Sequence, residues 1–190
     1  GQQLGLTAVD LRDRYDVDLR YIEGPAYIGP PLRRSPPGSQ VLWSDDLWGV
    51  RRRSVTVRLG DGAETYQEVA DSPLASARTV EDVLAYDRWP SPDWFDYSTI
   101  AAQCEALHAR GRVAVFQGDR LNRIAQLKPA MYLRGVEQIL LDKSLQPEIA
   151  QAIFSRIRDF YLAYAERILE AARGNLDLVL TGDDFGAQTG

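Results

Sequence analysis

The spacing of hydrophobic and polar positions changes near the middle of the chain. In the first half, residues 49–59 carry Val50, Val55, Val57 and Leu59 with polar residues between them, and residues 66–69 resume an extended pattern after Gly60-Asp61-Gly62. Alternation interrupted by a glycine turn predicts a β-hairpin. Residues 41–43 predict a further extended segment before it. Five prolines and three glycines in 24–38 predict a long irregular loop.

The second half has helical spacing interrupted by one continuous apolar run and by a second run that is apolar except for Asp177. The runs, 113–116 and 176–180, are typical of strands buried on both faces of a sheet. Helical patterns cover 98–110, 124–133, 136–145 and a long segment from Pro147 to about Gly174. This order predicts a βαβ unit with parallel strands and a right-handed crossover.

Shorter elements are predicted nearer the N-terminus. Residues 7–15 predict a helix, and residues 19–22 predict a short strand. Thr79-Val80-Glu81-Asp82 has the spacing of a capping box, with Asp in place of Glu, and opens a helix to about residue 86.

A strand that ends in a carboxylate-bearing loop is typical of the active-site face of a (β/α)8 barrel. Such barrels take about 250 residues, whereas this chain has 190 residues and offers three or four candidate barrel strands. We therefore expect an α/β fold that forms part of a TIM barrel, with a β-hairpin excursion over residues 41–74. The chain would be a fragment of one larger domain.

Composition excludes some functional classes but does not identify the function. The net charge of −5 argues against nucleic acid as a partner, and no apolar run approaches the roughly 20 residues of a membrane span. A single cysteine and no signal-peptide pattern at the N-terminus favour a cytoplasmic protein. Only Lys128 and Lys143 among the 22 basic residues are lysines. This arginine preference indicates either an anion site or the base composition of the genome.

Short motifs follow one another from residue 46 onward: Asp46-Leu47-Trp48-Gly49-Val50, Tyr66-Gln67-Glu68, Pro73-Leu74, Thr79-Val80-Glu81-Asp82, Trp89-Pro90, Gly118, Arg134-Gly135 and Asp183-Asp184-Phe185-Gly186-Ala187-Gln188. In order and spacing they resemble the uroporphyrinogen decarboxylase superfamily, which comprises the decarboxylase and the cobalamin- and coenzyme-M-type methyltransferases. The resemblance implies the N-terminal half of a TIM barrel, with its first strand and its second half missing from this chain.

Three aspartates are the candidate catalytic residues. The resemblance implies that Asp46 holds substrate N–H groups; alternatively, Asp45 or Asp46 caps the turn into the hairpin. Asp183 and Asp184 follow a predicted buried strand, where barrel enzymes keep their polar groups. Adjacent residues of an extended chain face opposite sides, so we expect one of the pair to face the cavity and its companion to cap the next helix.

The candidate substrate-binding residues follow the apolar strands or lie beside Asp46. Arg120 and Arg123, after Gly118, would clamp a substrate carboxylate or else pair with acids such as Asp119. The tail that contains Gln188 would permit close backbone approach to a ligand, or would be an ordinary connection. Trp48 would line a cavity or pack the excursion, and packing is expected for Trp89 and Trp94.

One departure separates the chain from the decarboxylase. Where the decarboxylase has a substrate-contacting tyrosine after the equivalent of Gly118, this chain has Gln126. The leading hypothesis is therefore a methyltransferase-like enzyme that transfers methyl groups to or from a corrinoid or thiol. The alternatives are a decarboxylase of tetrapyrrole biosynthesis and a catalytically inert binding module.

The resemblance also implies cofactors and partners. Methyltransferase-like members bind zinc through residues of the second barrel half, so zinc and a corrinoid would belong to the full-length protein and no cofactor to this chain. Cys104 and His108 share a predicted helix face, but two ligands do not complete a zinc shell, so we expect packing and surface roles for them. The expected partners are a small tetrapyrrole, corrinoid or methyl donor and a corrinoid protein.

Overall fold

The computed structural model describes residues 8–60, 62–116 and 124–182, and within these ranges the protein is mixed α/β without a closed barrel. The helices are α1 (Ala8–Arg14), α2 (Val80–Leu84), α3 (Ile100–His108), α4 (Leu127–Arg134), α5 (Val136–Leu145) and α6 (Pro147–Ala172). The strands are β1 (Leu19–Tyr21), β2 (Ala26–Tyr27), β3 (Trp43–Asp45), β4 (Arg51–Leu59), β5 (Gly62–Asp71), β6 (Phe95–Asp96), β7 (Val113–Phe116) and β8 (Leu178–Val179). None of the described helices combines the length and apolar content needed to cross a membrane.

The chain divides into two compact units. Among the described residues, unit 1 contains 8–26, 96–116 and 165–181, and unit 2 contains 27–60, 62–95 and 124–164 together with Gly182. The division falls within β2, β6 and α6.

Unit 1 is built on a parallel sheet with strand order β1-β7-β8. Leu19, Arg20 and Tyr21 pair with Val113, Ala114 and Val115, and β8 pairs with the end of β7. Three of the four β7 residues are buried, because β7 is the middle strand of the sheet. The predicted βαβ organisation with parallel strands is thus confirmed for β7, the following helices and β8.

The prediction that the second apolar run is a buried strand is wrong. Strand β8 covers only two residues, and Leu178 and Val179 are 42% and 39% exposed. Within the described chain β8 is an edge strand that pairs with β7 alone, so its side chains lack neighbours on one side. Apolar composition does not distinguish an edge strand from a central one.

Unit 2 contains an antiparallel sheet with strand order β3-β4-β5. The register of β4 and β5 runs from the Leu59–Gly62 pair to the Arg51–Asp71 pair, with an irregularity at Arg51 and Arg52. This confirms the predicted hairpin. Most described side chains of the hairpin are exposed, so its core contribution lies at its base, where Val50 is fully buried.

Helix boundaries follow the predicted capping signals. Thr79 Oγ1 accepts a hydrogen bond from Asp82 N at 3.2 Å, and Asp82 Oδ2 accepts one from Thr79 N at 3.0 Å, which confirms the capping box. Gly135, with φ +93°, separates α4 from α5. Pro147 begins α6, and the buried positions of that helix have the predicted helical spacing: Ile149, Ile153, Ile157, Phe160, Tyr164 and Ile168.

Candidate functional site

The carboxyl edge of the parallel sheet in unit 1 is the first candidate site. Strands β1, β7 and β8 end at Tyr21, Phe116 and Val179, and parallel strands present these ends at one edge. In open and closed α/β sheets, ligands bind at this edge because the following loops can carry polar groups without interrupting the core.

Gly24 and Gln103 fix the chain where it leaves β1. Gly24 N donates to Gln103 Oε1 at 3.1 Å, and Gln103 Nε2 donates to Gly24 O at 3.0 Å. Gly24 has φ +82°, and a Cβ at this position would lie 3.1 Å from Phe116 Cε2. The positive φ therefore favours glycine at this position, and a side chain would also crowd the ring at the end of β7. Sequence analysis missed this pair, since its two residues are 79 positions apart.

The predicted site residues that follow β7 and β8 lie outside the described residues. They are Gly118, Arg120, Arg123, Asp183, Asp184 and Gln188. Gln126 is described: it is half-buried at the N-cap of α4, and its carbonyl oxygen accepts a hydrogen bond from Ala130 N at 3.4 Å.

Asp177 lies just before β8, and its carboxylate links neighbouring elements of unit 1. Asp177 Oδ2 lies 2.7 Å from His108 Nε2 and accepts a second hydrogen bond from Ala114 N at 2.7 Å. These two contacts lower the pKa of Asp177, with the His108 hydrogen bond as the larger cause. The pair joins α3, β7 and the segment before β8.

Cys104 and His108 have the structural roles that the sequence predicted. Cys104 is fully buried, and burial raises the pKa of its thiol. His108 is engaged with Asp177. Within the described ranges, no three His, Cys, Asp or Glu side chains are grouped closely enough to hold a metal ion.

Asp46 closes the turn between β3 and β4 in unit 2. Its Oδ1 accepts hydrogen bonds from Trp48 N at 2.9 Å and Val50 N at 3.1 Å, and its Oδ2 accepts one from Arg52 Nε at 2.9 Å. Burial raises the pKa of Asp46, and Arg52 and the two backbone donors offset this only in part. The geometry is that of the turn-capping alternative, and a substrate-facing role for Asp46 stays a prediction.

The same turn requires a glycine at position 49. It has φ +74°, and a Cβ there would collide with the hydroxyl oxygen of Tyr86. That hydroxyl donates to Trp48 O at 2.7 Å, and burial raises the pKa of Tyr86 to about 12. Tyr86 is therefore a hydrogen-bond donor at neutral pH that fixes the turn.

The Trp48 ring lies in an aromatic cluster. It is only 4% exposed and makes edge-to-face contacts with Trp89 and Phe160 at centroid distances of 6.3 and 5.2 Å. Trp89 also donates its indole N–H to Val83 O, and Trp94 packs edge-on against Tyr27. Packing is thus confirmed for Trp89 and Trp94. The contacts of Trp48 are also those of a core side chain, and its contact with substrate stays a prediction.

A fully buried ion pair, missed by sequence analysis, lies between α4 and α5. Arg134 Nε donates to Asp142 Oδ2 at 2.7 Å, and both side chains have 0% exposure. Arg134 Nη1 also donates to the carbonyl oxygens of Leu74 at 2.6 Å and Ala77 at 2.8 Å, so one guanidinium joins two helices to the loop before α2.

Asp45 was weighed only as a turn cap, but the structure makes it the centre of an arginine cluster. Its side chain has 0% exposure and contacts Arg33 and Arg51, with Arg88 at 4.0 Å. The sequence signal was present: two aspartates precede a run of three arginines, 51–53, on a strand.

Comparison of the chain with protein-family models, with curated proteins and with solved structures found no match.

Proposed function

We propose that this chain is the N-terminal part of a (β/α)8-barrel enzyme of the uroporphyrinogen decarboxylase superfamily, of the methyltransferase-like type. The observation that carries the proposal is the parallel β1-β7-β8 sheet with helical connections. Its strand order agrees with successive strands of such a barrel. The motif segments that begin at Gly118 and Asp183 start two residues after β7 and four residues after β8 in the sequence.

In this proposal, residues 118–123 and 183–188 supply the chemistry. One of Asp183 and Asp184 orients the substrate or transfers a proton to it, which requires a carboxylate at the mouth of the barrel. Arg120 or Arg123 binds a negatively charged group of the substrate through a two-pronged guanidinium contact. Gly118 and Gln188 permit close backbone approach and hydrogen bonding, respectively, and Gln126 follows residues 118–123 in the sequence.

Asp46 contributes as a positioning residue. By accepting the N–H groups of Trp48 and Val50 it sets the turn, and the turn places Trp48 against Phe160. Zinc, which would activate a thiol for methyl transfer, belongs in this proposal to residues beyond this chain.

A methyl-transfer assay on the intact gene product that contains this chain tests the proposal. The protein is incubated with methylcobalamin and 2-mercaptoethanesulfonate, and the methyl thioether is measured by mass spectrometry. We expect product, with a rate at least about a hundredfold lower in Asp183→Asn or in Asp184→Asn, since positioned acid–base groups contribute factors of this order. Asp159→Asn is the matched control, because Asp159 is an exposed residue of α6 whose carboxylate pairs with Arg158.

Parallel incubation with uroporphyrinogen separates the competing hypotheses. Formation of coproporphyrinogen, without thioether, would assign the decarboxylase reaction and contradict methyl transfer. Absence of both products would favour the inert binding module and also contradict the proposal. Equal loss of rate in Asp159→Asn and in both the Asp183 and Asp184 variants would remove these two aspartates from the site.

A further inference from the structure

Three guanidinium groups of unit 2 converge on one buried carboxylate. Arg33 Nε donates to Asp45 Oδ2 at 2.7 Å, Arg51 Nε donates to Asp45 Oδ1 at 3.2 Å, and Arg88 Nη1 lies 4.0 Å from Oδ2. The arginines come from three segments: the loop before β3, the start of β4 and the segment after α2. We call these four residues the Asp45 arginine cluster.

The cluster carries more positive than negative charge. Three guanidinium groups face a single carboxylate, and the neighbouring acid Asp46 is engaged by Arg52. Asp71 lies opposite Arg51 in the β4–β5 register, and Asp87 precedes Arg88. Among the described residues, neither of these two carboxylates makes an ion pair within 4.0 Å with the cluster. Within 4.0 Å of the Asp45 carboxylate, three guanidinium groups therefore face one negative charge, an excess of two positive charges.

The arginines also keep hydrogen-bond donors available. Arg33 and Arg51 each bind Asp45 through Nε, and their terminal Nη groups make no hydrogen bond with the part of the chain that the structure describes. The side chains of Arg33 and Arg51 are 56% and 35% exposed, whereas Asp45 is inaccessible. The Arg51 guanidinium lies 3.9 Å from the ring centroid of Trp43, and this stacking fixes the plane of its donors.

We propose that the Asp45 arginine cluster is a binding site for a small oxyanion with two negative charges, such as a phosphate group. Asp45 holds Arg33 and Arg51 in place through their Nε atoms. Their Nη groups remain as donors, and paired guanidinium donors match the two-pronged geometry of phosphate oxygens. A dianion would neutralise the excess charge, whereas a monoanion would leave half of it uncompensated. The proposal stands on unit 2 alone and is independent of the reaction proposed above.

Titration of the 190-residue chain with inorganic phosphate at pH 8 and constant ionic strength tests the site. Calorimetry gives Kd, and the indole N–H resonance of Trp43 in NMR spectra reports whether binding occurs at the cluster. We expect saturable binding that shifts this resonance and weakens as sodium chloride is added, because salt screens exposed charges. Arg33→Gln should raise Kd by about ten- to a hundredfold, the effect of losing charge-assisted hydrogen bonds.

Two further variants keep the result interpretable. Arg33→Lys keeps a positive charge beside buried Asp45 and so protects the fold, but it removes the planar donor pair and should raise Kd by about tenfold. Arg58→Gln is the matched control, because Arg58 is exposed on the same strand as Arg51 but lies outside the cluster. The Arg58→Gln protein should bind phosphate with the same Kd as the unchanged protein. Equal Kd values in all three variants, no phosphate binding, or acetate binding as tight as phosphate would each overturn the proposal.

Discussion

The two units place their ion pairs differently. In unit 1, every described carboxylate that forms an ion pair is at least 42% exposed, as for Asp13 and Asp177. Unit 2 buries Asp45, Asp46 and the Arg134–Asp142 pair almost completely. The difference follows from the architecture of each unit. Unit 1 is built on a sheet with an apolar middle strand, whereas in unit 2 buried polar side chains hold long irregular segments next to the helices.

Irregular segments expose backbone groups that regular structure would satisfy, and buried side chains can replace the missing partners. Arg134 binds two carbonyl oxygens of the loop before α2, and Asp46 binds two backbone N–H groups of the β3–β4 turn. In unit 1, the backbone of β7 is instead satisfied by two neighbouring strands. Polar burial should therefore determine the stability of unit 2 much more than that of unit 1.

The largest expected effect is on the buried pair. Arg134→Met should lower the free energy of unfolding by about 3–5 kcal/mol, because it leaves Asp142 as an uncompensated buried charge and frees two carbonyl oxygens. All four tryptophans lie in unit 2, at positions 43, 48, 89 and 94, so urea unfolding followed by tryptophan fluorescence reports on that unit.

Arg158→Met is the control for this substitution. Arg158 is a residue of α6 whose side chain is 55% exposed and pairs only with Asp159 among the described residues, so its removal should change the unfolding free energy by less than about 1 kcal/mol. Similar losses in Arg134→Met and Arg158→Met would contradict the contrast between buried and exposed pairs.

A smaller effect, distinguished by its pH dependence, is expected at Asp46. Because burial raises the pKa of Asp46 in the folded protein, the unfolded chain loses this proton at a lower pH than the folded one. The carboxyl group therefore stabilises the fold most at low pH, and this contribution is lost as the pH rises above the ordinary value of 3.8 and through the folded pKa. Asp46→Asn keeps an acceptor for Trp48 N and Val50 N but has no such proton.

The stability of Asp46→Asn relative to the unchanged protein should consequently increase between pH 4 and pH 7. Urea midpoints from tryptophan fluorescence at several pH values measure it, and Asp159→Asn provides the background of an exposed carboxylate. A relative stability that falls over the same range would show that Arg52 and the backbone donors outweigh burial at Asp46.

Local signals in the sequence were sufficient for most of the regular elements. The glycines at positions 60 and 62 predicted the hairpin turn, Thr79 and Asp82 predicted the start of α2, and Pro147 predicted the start of α6. Each of these signals acts within a few residues, so it can be recognised without tertiary structure. The exposure of β8 was missed because it depends on which strands are its neighbours.

The candidate sites were less predictable, because they depend on long-range pairing of charges. Asp142 resembles any polar residue of an amphipathic helix until α4 and α5 bring Arg134 against it. Asp46 was recognised as a special residue, but its hydrogen bonds to Trp48 N and Arg52 could be found only in the structure, and its role toward a substrate stays a prediction. The segments around Gly118 and Asp183 remain predictions from sequence order.

The smallest effect, and the sharpest test of the contrast, is expected at Asp177 in unit 1. Hydrogen bonds from His108 and Ala114 N lower the pKa of Asp177, so its stabilising contribution is present above the ordinary value of 3.8 and is lost as the pH falls through the folded pKa. Asp177→Asn should therefore be slightly less stable than the unchanged protein at pH 7, and the difference should disappear at low pH. The loss is small because His108 and Asp177 are 37% and 42% exposed and water screens their interaction.

Hydrogen exchange of the β7 amides measures this loss in unit 1, while tryptophan fluorescence should show an unchanged midpoint for unit 2. A large loss of β7 protection at pH 7 would mean that unit 1 also depends on its ion pairs and that the contrast between the units is wrong. A stability difference that grows as the pH falls would contradict the lowered pKa of Asp177.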